Sequence, residues 1–147
     1  MVVKLIKINK DNWKDAVNLK ISDDHRNYVT SNLFSIAQVQ FYPGMNIYGV
    51  YLDEVMIGFV MYGVDDFSND KRFWIWRMMI AEDYRCKGYG EESLKLIIND
   101  AINKGLDVLV LSVLANNNKA ISLYKKLGFK RTGNIIDSED EYLLDLK

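Results

Sequence analysis

The sequence predicts a single α/β domain in which helices cover both faces of a mixed sheet. Strand-like and helix-like patterns alternate along the chain in the order β-α-α-β-β-β-α-β-α-β-β. Residues 108–114 are almost continuously apolar, as strands covered on both faces are. The 147 residues are 49% hydrophobic and 27% charged, a balance that suits one globular core but would make two cores cramped. We therefore expect residues 1–147 to form one domain.

The first third of the chain contains one predicted strand and two predicted helices. Residues 2–8 alternate in the manner of a strand, and residues 9–12 form a polar break. Apolar residues then recur at helical spacing over residues 13–19. An apolar stripe predicts a second helix at residues 24–39, and a Pro-Gly pair ends this region.

A hairpin and a central strand are predicted next. Residues 47–52 and 55–62 are apolar runs separated by Asp53 and Glu54, which indicates a two-residue turn although the favoured glycine is missing. A polar loop follows. Residues 72–80 are rich in aromatic and β-favouring types, so they are expected to form a central strand.

The second half of the chain contains two predicted helices among its strands. Apolar residues recur with helical period over residues 93–102 until Gly105 stops them, and the apolar strand follows. A shorter helix is expected to start at residues 116–118 and to close at Gly128. The last three segments are predicted to be strand, acidic turn and strand, at residues 129–132, 137–141 and 142–146.

Charge and composition exclude several kinds of partner. The 19 Lys and Arg residues are balanced by 20 Asp and Glu residues, so no overall positive field attracts nucleic acid or an anionic membrane. The N-terminal residues lack the apolar core of a signal peptide, and no run is long enough for a transmembrane helix, so we expect a cytoplasmic protein. Cys86 is the single cysteine, which excludes an internal disulfide and a cysteine zinc cluster, and no metal site is expected.

A basic, glycine-bearing turn joins the central strand to the next helix. Gly88 and Gly90 stand just ahead of the first helical turn, where backbone N–H groups lack intrahelical partners and the helix dipole is positive. Arg85 and Lys87 add formal charge, so the turn is suited to a pyrophosphate. The spacing does not fit a Walker loop, and Ser93 stands where a dinucleotide fingerprint needs its third glycine.

A second pattern lies about 30 residues further on, at residues 117–129. Arg-x-x-Gly-x-Gly, followed by Asn-x-x-Ala-x-x-Leu-Tyr-x-x-Leu-Gly-Phe, closely resembles the two signature segments of the GNAT superfamily of N-acetyltransferases. The order of elements extends the resemblance over nearly the whole chain. It implies an enzyme that uses acetyl-CoA as co-substrate and passes the acetyl group directly to an amine in a ternary complex.

The resemblance also implies where the cofactor binds. The family's pyrophosphate loop corresponds to Arg85, Cys86, Lys87, Gly88, Tyr89 and Gly90. The strand whose main chain binds the pantetheine arm corresponds to Met78, Met79 and Ile80. Asn117 matches an asparagine that contacts this arm, and Tyr124 matches a tyrosine whose hydroxyl approaches the sulfur. The strands at residues 72–80 and 108–114 are expected to splay apart, often at a bulge, so that the cofactor lies between them.

Acetyl transfer needs a proton donor for the leaving thiolate and a proton acceptor for the amine. The Tyr124 phenol, with a reference pKa of about 10, can donate at neutral pH; the alternative is a packing role. Glu82, just beyond the cofactor strand, is the first candidate base, although it is equally compatible with a solvated turn residue. His25, the single histidine, is the second candidate. Cys86 is expected to take no part in the chemistry.

The acceptor amine is less sharply defined. Residues 19–29 and 55–63 resemble the bacterial spermine/spermidine acetyltransferases, which favours a polyamine held by carboxylates and aromatic faces. The candidate acceptor-binding residues are Asp23, Asp24, Tyr28 and Trp76. Arg77 departs from that subfamily, in which an acidic residue stands near this position. Other small amines, a peptide N-terminus or a non-catalytic CoA-binding module remain alternatives, and a homodimer is possible.

Overall fold

The structure is a computed structural model that describes residues 2–21, 31–69 and 72–147. Its strands are β1 (Val3–Lys7), β2 (Met45–Leu52), β3 (Val55–Gly63), β4 (Phe73–Ile80), β5 (Val108–Val113), β6 (Lys130–Ile136) and β7 (Glu139–Asp145). Its α-helices are α1 (Trp13–Val17), α2 (Asn32–Val39), α3 (Tyr89–Asn103) and α4 (Asn118–Lys126), with a 3-10 turn at Glu82–Tyr84. The order of elements along the chain is the predicted one. No described helix combines the length and the apolar character needed to cross a membrane.

The strands form one seven-stranded sheet in the order β1-β2-β3-β4-β5-β7-β6. The β4–β5 pair is parallel, and the other neighbouring pairs are antiparallel. The hairpin between β2 and β3 turns at Asp53, which adopts a positive φ of 54° in place of the favoured glycine. The mixed α/β fold class predicted from the sequence is confirmed.

Two apolar clusters cover the two faces of the sheet. Successive residues of β3 from Phe59 to Tyr62 fall in the two clusters by turns, as the two-residue period of a strand requires. Val60 packs in the cluster that contains Leu94 and Ile97 of α3, whereas Phe59 packs in the cluster that contains Ala16 of α1. Each large side chain buried in this way contributes about 1.5–3 kcal/mol to the free energy of unfolding.

The predicted bounds of the last two strands were too short. Asp137 and Ser138 alone form the turn, with positive φ of 49° and 69°, and β7 begins at Glu139. Acidic residues can lie in this strand because their charges are paired: Asp140 bonds Arg131 at 3.2 Å, and Glu141 bonds Arg72 at 2.7 Å. The predicted helix at residues 24–39 is observed from Asn32 onward, and residues 22–30 lie outside the described part of the chain.

The sheet splits between β4 and β5. Within these fully described strands the parallel register comprises Phe73 with Leu109 and Trp74 with Val110. A bulge follows at Trp76, where the β3–β4 register shifts between Met61 and Tyr62. A bulge bends a strand and increases its twist, so the remaining length of β4 diverges from β5. The splayed central strands predicted from the family resemblance are therefore present.

Candidate active site

A cavity of about 470 Å³ lies in the split between β4 and β5, and we call it the cleft. Its walls come mainly from β4, β5, the turn before α3 and the face of α4 that carries Lys119 and Tyr124, together with Asp137 and Glu139 at the β6–β7 turn. All three cofactor-strand residues, Met78, Met79 and Ile80, line it. Beyond Trp74 the edge of β4 that faces the cleft is not paired with β5, whereas its other edge pairs with β3. Main-chain groups on this edge are thus placed to bond an extended ligand.

The glycine turn closes one end of the cleft. Gly88 is the N-cap of α3 and has a φ of 89°, a left-handed conformation that favours glycine. A Cβ built on Gly88 would meet nothing within 4 Å, and one on Gly90 would lie 3.9 Å from the nearest atom, in Ile80. The helix start therefore faces open space. Its N–H groups and positive dipole end are suited to an anionic group there.

Cationic side chains surround this end of the cleft. Arg85 lines the cleft, and so does Lys119, whose Nζ lies 3.3 Å from the Cys86 sulfur. Lys119 was not predicted as a site residue, although it stands in the first turn of α4 within the second signature segment. Lys87 is exposed and is not among the residues that line the cleft. Tyr89 packs in the core at 5% exposure and, like Gly88, is not among the described residues that line the cleft.

Asn117 and Tyr124 both line the cleft from α4 and its N-cap. The Asn117 side chain accepts a hydrogen bond from the Ala120 N–H at 3.4 Å and so caps α4. Burial raises the pKa of Tyr124 to about 12, and the negative charge of Glu139 adds to the shift. Both effects disfavour the phenolate. The Tyr124 hydroxyl is therefore neutral throughout the physiological pH range and available as a proton donor.

Glu82 does not join these residues. It begins the 3-10 turn, its side chain is 38% exposed, and it forms a 3.4 Å ion pair with Lys20. Its N–H also donates to the Lys20 carbonyl at 2.8 Å. Glu82 is not among the described residues that line the cleft. Its predicted role as the base therefore has no geometric support in the described part of the chain.

A second cavity of about 530 Å³ opens beside the cleft and shares six lining residues with it: Ile75, Trp76, Arg77, Ser112, Asp137 and Glu139. We call it the acceptor cavity, after the role proposed for it below. Three carboxylates line it, from Asp65, Asp137 and Glu139. Aromatic rings form much of the rest, from Tyr42, Trp74 and Trp76. The Tyr42 and Trp76 rings meet edge to face with centroids 5.2 Å apart, which fixes this wall.

Arg77 is the one cationic side chain among the described residues that line the acceptor cavity. Its guanidinium donates to the Trp76 carbonyl at 2.9 Å and to the Gln38 side-chain oxygen at 3.2 Å, while its Nε is buried without a hydrogen-bond partner. Burial lowers the pKa of Arg77, and the charge of Glu139 opposes that shift. An arginine nevertheless remains charged in proteins.

Of the residues predicted to bind the acceptor, the structure describes only Trp76. Trp76 lines both cavities and stands at the bulge of β4. Asp23, Asp24, His25 and Tyr28 lie outside the described residues, so their predicted roles stay predictions. The lining residues Asp65, Asp137 and Glu139 were not predicted as acceptor residues. The acidic run at residues 137–141 was visible in the sequence, but its place beside the cleft depends on the pairing of β7 with β5.

The split sheet, with a cleft that ends at a glycine turn, defines an acetyl-CoA-dependent N-acetyltransferase. A comparison with protein families gives the particular family. The model of the acetyltransferase (GNAT) family matches residues 6–129, and the chain belongs to that family.

Similar proteins and solved structures are also described as N-acetyltransferases. The chain is 27% identical over 140 residues to the spermine/spermidine N(1)-acetyltransferase of Bacillus subtilis (strain 168), covering 92% of each. It is 31% identical over 93 residues to N-alpha-acetyltransferase 50 of Danio rerio, covering 63% of this chain and 53% of the relative. Among solved structures, the PaiA N-acetyltransferase of Thermoplasma acidophilum in complex with coenzyme A superimposes with a TM-score of 0.73 at 18% identity, covering 99% of each chain. That likeness shows the fold alone.

Proposed function

We propose that this chain acetylates a primary amine of a polyamine such as spermidine or spermine, by direct attack on acetyl-CoA in a ternary complex. The acceptor cavity is the observation that carries the proposal. It opens beside the cleft, and its described charged lining consists of three carboxylates and one guanidinium. A cationic acceptor would therefore be attracted to the place where an acetyl group bound in the cleft can be attacked.

Acetyl-CoA would lie along the exposed edge of β4. The main chain of residues 78–80 would bond the pantetheine arm, and the turn from Arg85 to Gly90 would hold the pyrophosphate at the start of α3. Arg85 and Lys119 would supply counter-charge. Asn117 would face the arm while it caps α4. In this arrangement the main chain holds most of the phosphate, as the open space at Gly88 and Gly90 allows.

The aromatic wall of the acceptor cavity also suits a polyamine. Its methylene groups can pack on the rings of Tyr42 and Trp76, and its ammonium groups can approach ring faces or carboxylates. Arg77 would repel a polycation if its charge were free. It is instead bonded to Gln38 and lies close enough to Glu139 for opposite charges to attract. The name of the Bacillus subtilis relative, which matches over 92% of the chain, supports the same acceptor class.

An amine screen tests the proposal directly. The purified chain would be mixed with acetyl-CoA and spermidine, spermine, single amino acids, aminoglycosides or short peptides, and release of the CoA thiol would be followed. We expect the highest kcat/KM with spermidine or spermine, falling as ionic strength rises because charge attraction contributes to binding. Thiol release with other amines and none with polyamines would contradict the acceptor assignment.

A peptide N-terminus is the second candidate acceptor. The match to N-alpha-acetyltransferase 50 of Danio rerio, at 31% identity over 93 residues, favours it. Activity on peptides and none on polyamines would establish this alternative. Acetyl-CoA binding without thiol release for any amine would instead identify a non-catalytic CoA-binding module.

A further inference from the structure

An attacking amine needs a proton acceptor, because an alkyl ammonium with a pKa of about 10.4 carries no free electron pair at neutral pH. We propose that Glu139 is this proton acceptor and that Ser112 holds its carboxylate in position. The inference rests on the function proposed above and adds a catalytic residue to it. Glu139 is the first residue of β7, and Ser112 lies on the neighbouring strand β5.

Position distinguishes Glu139 from the other carboxylates. It lines both the cleft and the acceptor cavity, so it lies where an acceptor amine would meet the acetyl group. Asp65 lines only the acceptor cavity, and Glu82 lines neither. Asp137 lines both, but it is an exposed residue of the β6–β7 turn. Glu139 alone among these four is half-buried and lines both cavities.

A hydrogen bond fixes the Glu139 side chain. The Ser112 hydroxyl on β5 donates to Glu139 Oε1 on the neighbouring strand β7 at 2.7 Å. One carboxylate oxygen is thus bonded, which leaves the second oxygen to take a proton. A base that is held in one orientation does not have to be ordered when the substrate binds. Ser112 also lines both cavities, so this bond lies at their junction.

The charged and titratable groups around Glu139 come from several elements. Arg77 faces it from β4 and Tyr124 from α4, and each interacts with its charge. Asp137 from the preceding turn and Asp65 from the loop after β3 line the same cavity. The proposed base and the proposed acid, Tyr124, therefore both line the cleft, and the base also lines the acceptor cavity.

The proton transfers balance in this arrangement. Glu139 takes one proton from the ammonium group and later releases it to solvent. The freed nitrogen electron pair forms the C–N bond at the thioester carbonyl, and the C–S bond breaks as the tetrahedral intermediate collapses. The departing thiolate takes the Tyr124 proton, and the second nitrogen proton restores the phenol. The net products are the acetylated amine, CoA thiol and one proton.

Glu139→Gln tests the role, because the amide oxygen still accepts the Ser112 hydrogen bond but cannot take a proton. General base catalysis is worth ~10²–10⁴-fold, so we expect kcat with the best polyamine to fall by about 10²-fold or more. Acetyl-CoA affinity and the melting temperature should be unchanged. The deficit should narrow as pH approaches the pKa of the amine, about 10.4, because a free amine needs no base.

Three further variants make the result specific. Glu139→Asp keeps a carboxylate and should recover part of kcat. Asp137→Asn removes the same charge from the same cavity and should raise KM more than it lowers kcat. Glu54→Gln, in the exposed β2–β3 turn, is the matched control away from both cavities and should resemble the wild type.

Two results would overturn the assignment of Glu139. One is a folded Glu139→Gln variant with the wild-type kcat. The other is a Glu139→Asp variant no more active than Glu139→Gln, which would mean that the carboxylate is not the required feature. Failure of the proposed function looks different, because the wild-type chain itself would then release no thiol with polyamines.

Discussion

At the scale of single residues, the hydroxyl of Tyr124 is held in its neutral form. Burial and the charge of Glu139 raise its pKa to about 12, so it keeps its proton over the whole range in which the protein would be assayed. Tyr124→Phe keeps the ring and its contact with Phe129, whose centroid lies 5.8 Å away, and removes only the hydroxyl, which is the proposed proton donor. We expect kcat to fall tenfold or more, with little change in acetyl-CoA affinity.

The control for Tyr124→Phe is thermal unfolding. Loss of a packing role would lower the melting temperature, whereas loss of a chemical role would lower kcat alone. An unaltered melting temperature with reduced kcat supports proton donation. If turnover equals that of the wild type when chemistry limits the rate, the hydroxyl is not the donor and the ring serves packing alone. The raised pKa also means that Tyr124 ionisation should cause no loss of activity up to about pH 10.

Cys86 permits a chemical test of the cleft without a mutation in the catalytic groups. It is the single cysteine of the chain, is exposed, and lines the cleft 3.3 Å from the Lys119 ammonium. We expect alkylation with iodoacetamide to be slowed by saturating acetyl-CoA, because a bound cofactor would cover the thiol. The adduct should weaken acetyl-CoA binding. Mass spectrometry gives the extent of labelling at one site.

The matched variant is Cys86→Ser, which should keep the wild-type kcat, since direct transfer involves no thiol of the protein. Equal labelling rates with and without acetyl-CoA would contradict the position assigned to the pyrophosphate. Cys86→Ser also shows whether any loss of activity after alkylation arises from the thiol or from other modified groups.

Single residues differ in how far the sequence could predict them. The signature segments contain Gly88, Asn117 and Tyr124. Each of these segments is short and continuous in sequence, so a sequence pattern was sufficient to predict these site residues. Glu139 is placed by a bond to Ser112, 27 positions away, and that bond depends on the register of β5 and β7. A sequence pattern does not contain this register. The acidic residues therefore suggested a solvated turn.

At the scale of elements, the start of α3 offers a test of the phosphate site. Gly90 lies in the first turn of this helix, and a side chain there would extend into open space, with Ile80 the nearest group at 3.9 Å. Gly90→Trp would fill the space assigned to the pyrophosphate without requiring a left-handed residue. We expect the Kd for acetyl-CoA to rise at least tenfold, measured by calorimetry.

Gly105 supplies the control at the other end of the same helix. It also faces open space but has a φ of 75°, so Gly105→Trp should lower the melting temperature through backbone strain and leave the Kd unchanged. Gly90→Trp should show the reverse pattern. Unchanged acetyl-CoA affinity in folded Gly90→Trp would remove the pyrophosphate assignment.

Elements with strong local patterns were predicted well. The apolar period of α3 shows that one face of this helix is buried, and the continuous apolar run of β5 shows that both faces of this strand are buried. Both patterns can be recognised within the element's own sequence. The bounds of β6 and β7 were wrong because charged residues in these strands are paired with partners elsewhere in the fold. Arg131 bonds Asp140 across the hairpin, and Arg72 reaches Glu141 from the start of β4. Such pairs make polar residues compatible with a strand, which intrinsic propensity does not predict.

At the scale of the whole molecule, the two halves of the sheet must stay joined at one end of β4 and β5 while these strands separate at the other end. The order of elements could be predicted from hydrophobic patterns, and the split could be predicted only through the resemblance to a family. The two residue pairs that join β4 to β5 are a short seam between the halves of the sheet. Glu141 lies beside this seam, at 1% exposure, and bonds Arg72 from the other half of the sheet at 2.7 Å.

Glu141 is ionised despite its burial. Burial opposes ionisation, but hydrogen bonds from Arg72, Thr132 and Asn134 outweigh it and hold the pKa of Glu141 below its usual value. A group whose pKa is lowered by folding stabilises the protein above its unfolded pKa, about 4.3 for glutamate. That contribution is lost as pH falls through the folded pKa. The two halves of the sheet should therefore separate more easily in acid.

Glu141→Gln tests this role of the ion pair. Removing one partner leaves Arg72 without its carboxylate, but the Arg72 side chain is 33% exposed and stays partly hydrated, so we expect a cost of about 2 kcal/mol, less than that of a fully buried pair. For a protein of this size we expect the melting temperature at pH 7 to fall by about 4–8 °C. Because the variant lacks the carboxylate, its stability should also decline less than that of the wild type when pH is lowered through 4. Thermal unfolding at several pH values measures both effects, with Glu54→Gln as the exposed control. Parallel pH dependences in variant and wild type would mean that Glu141 does not stabilise the seam through its charge.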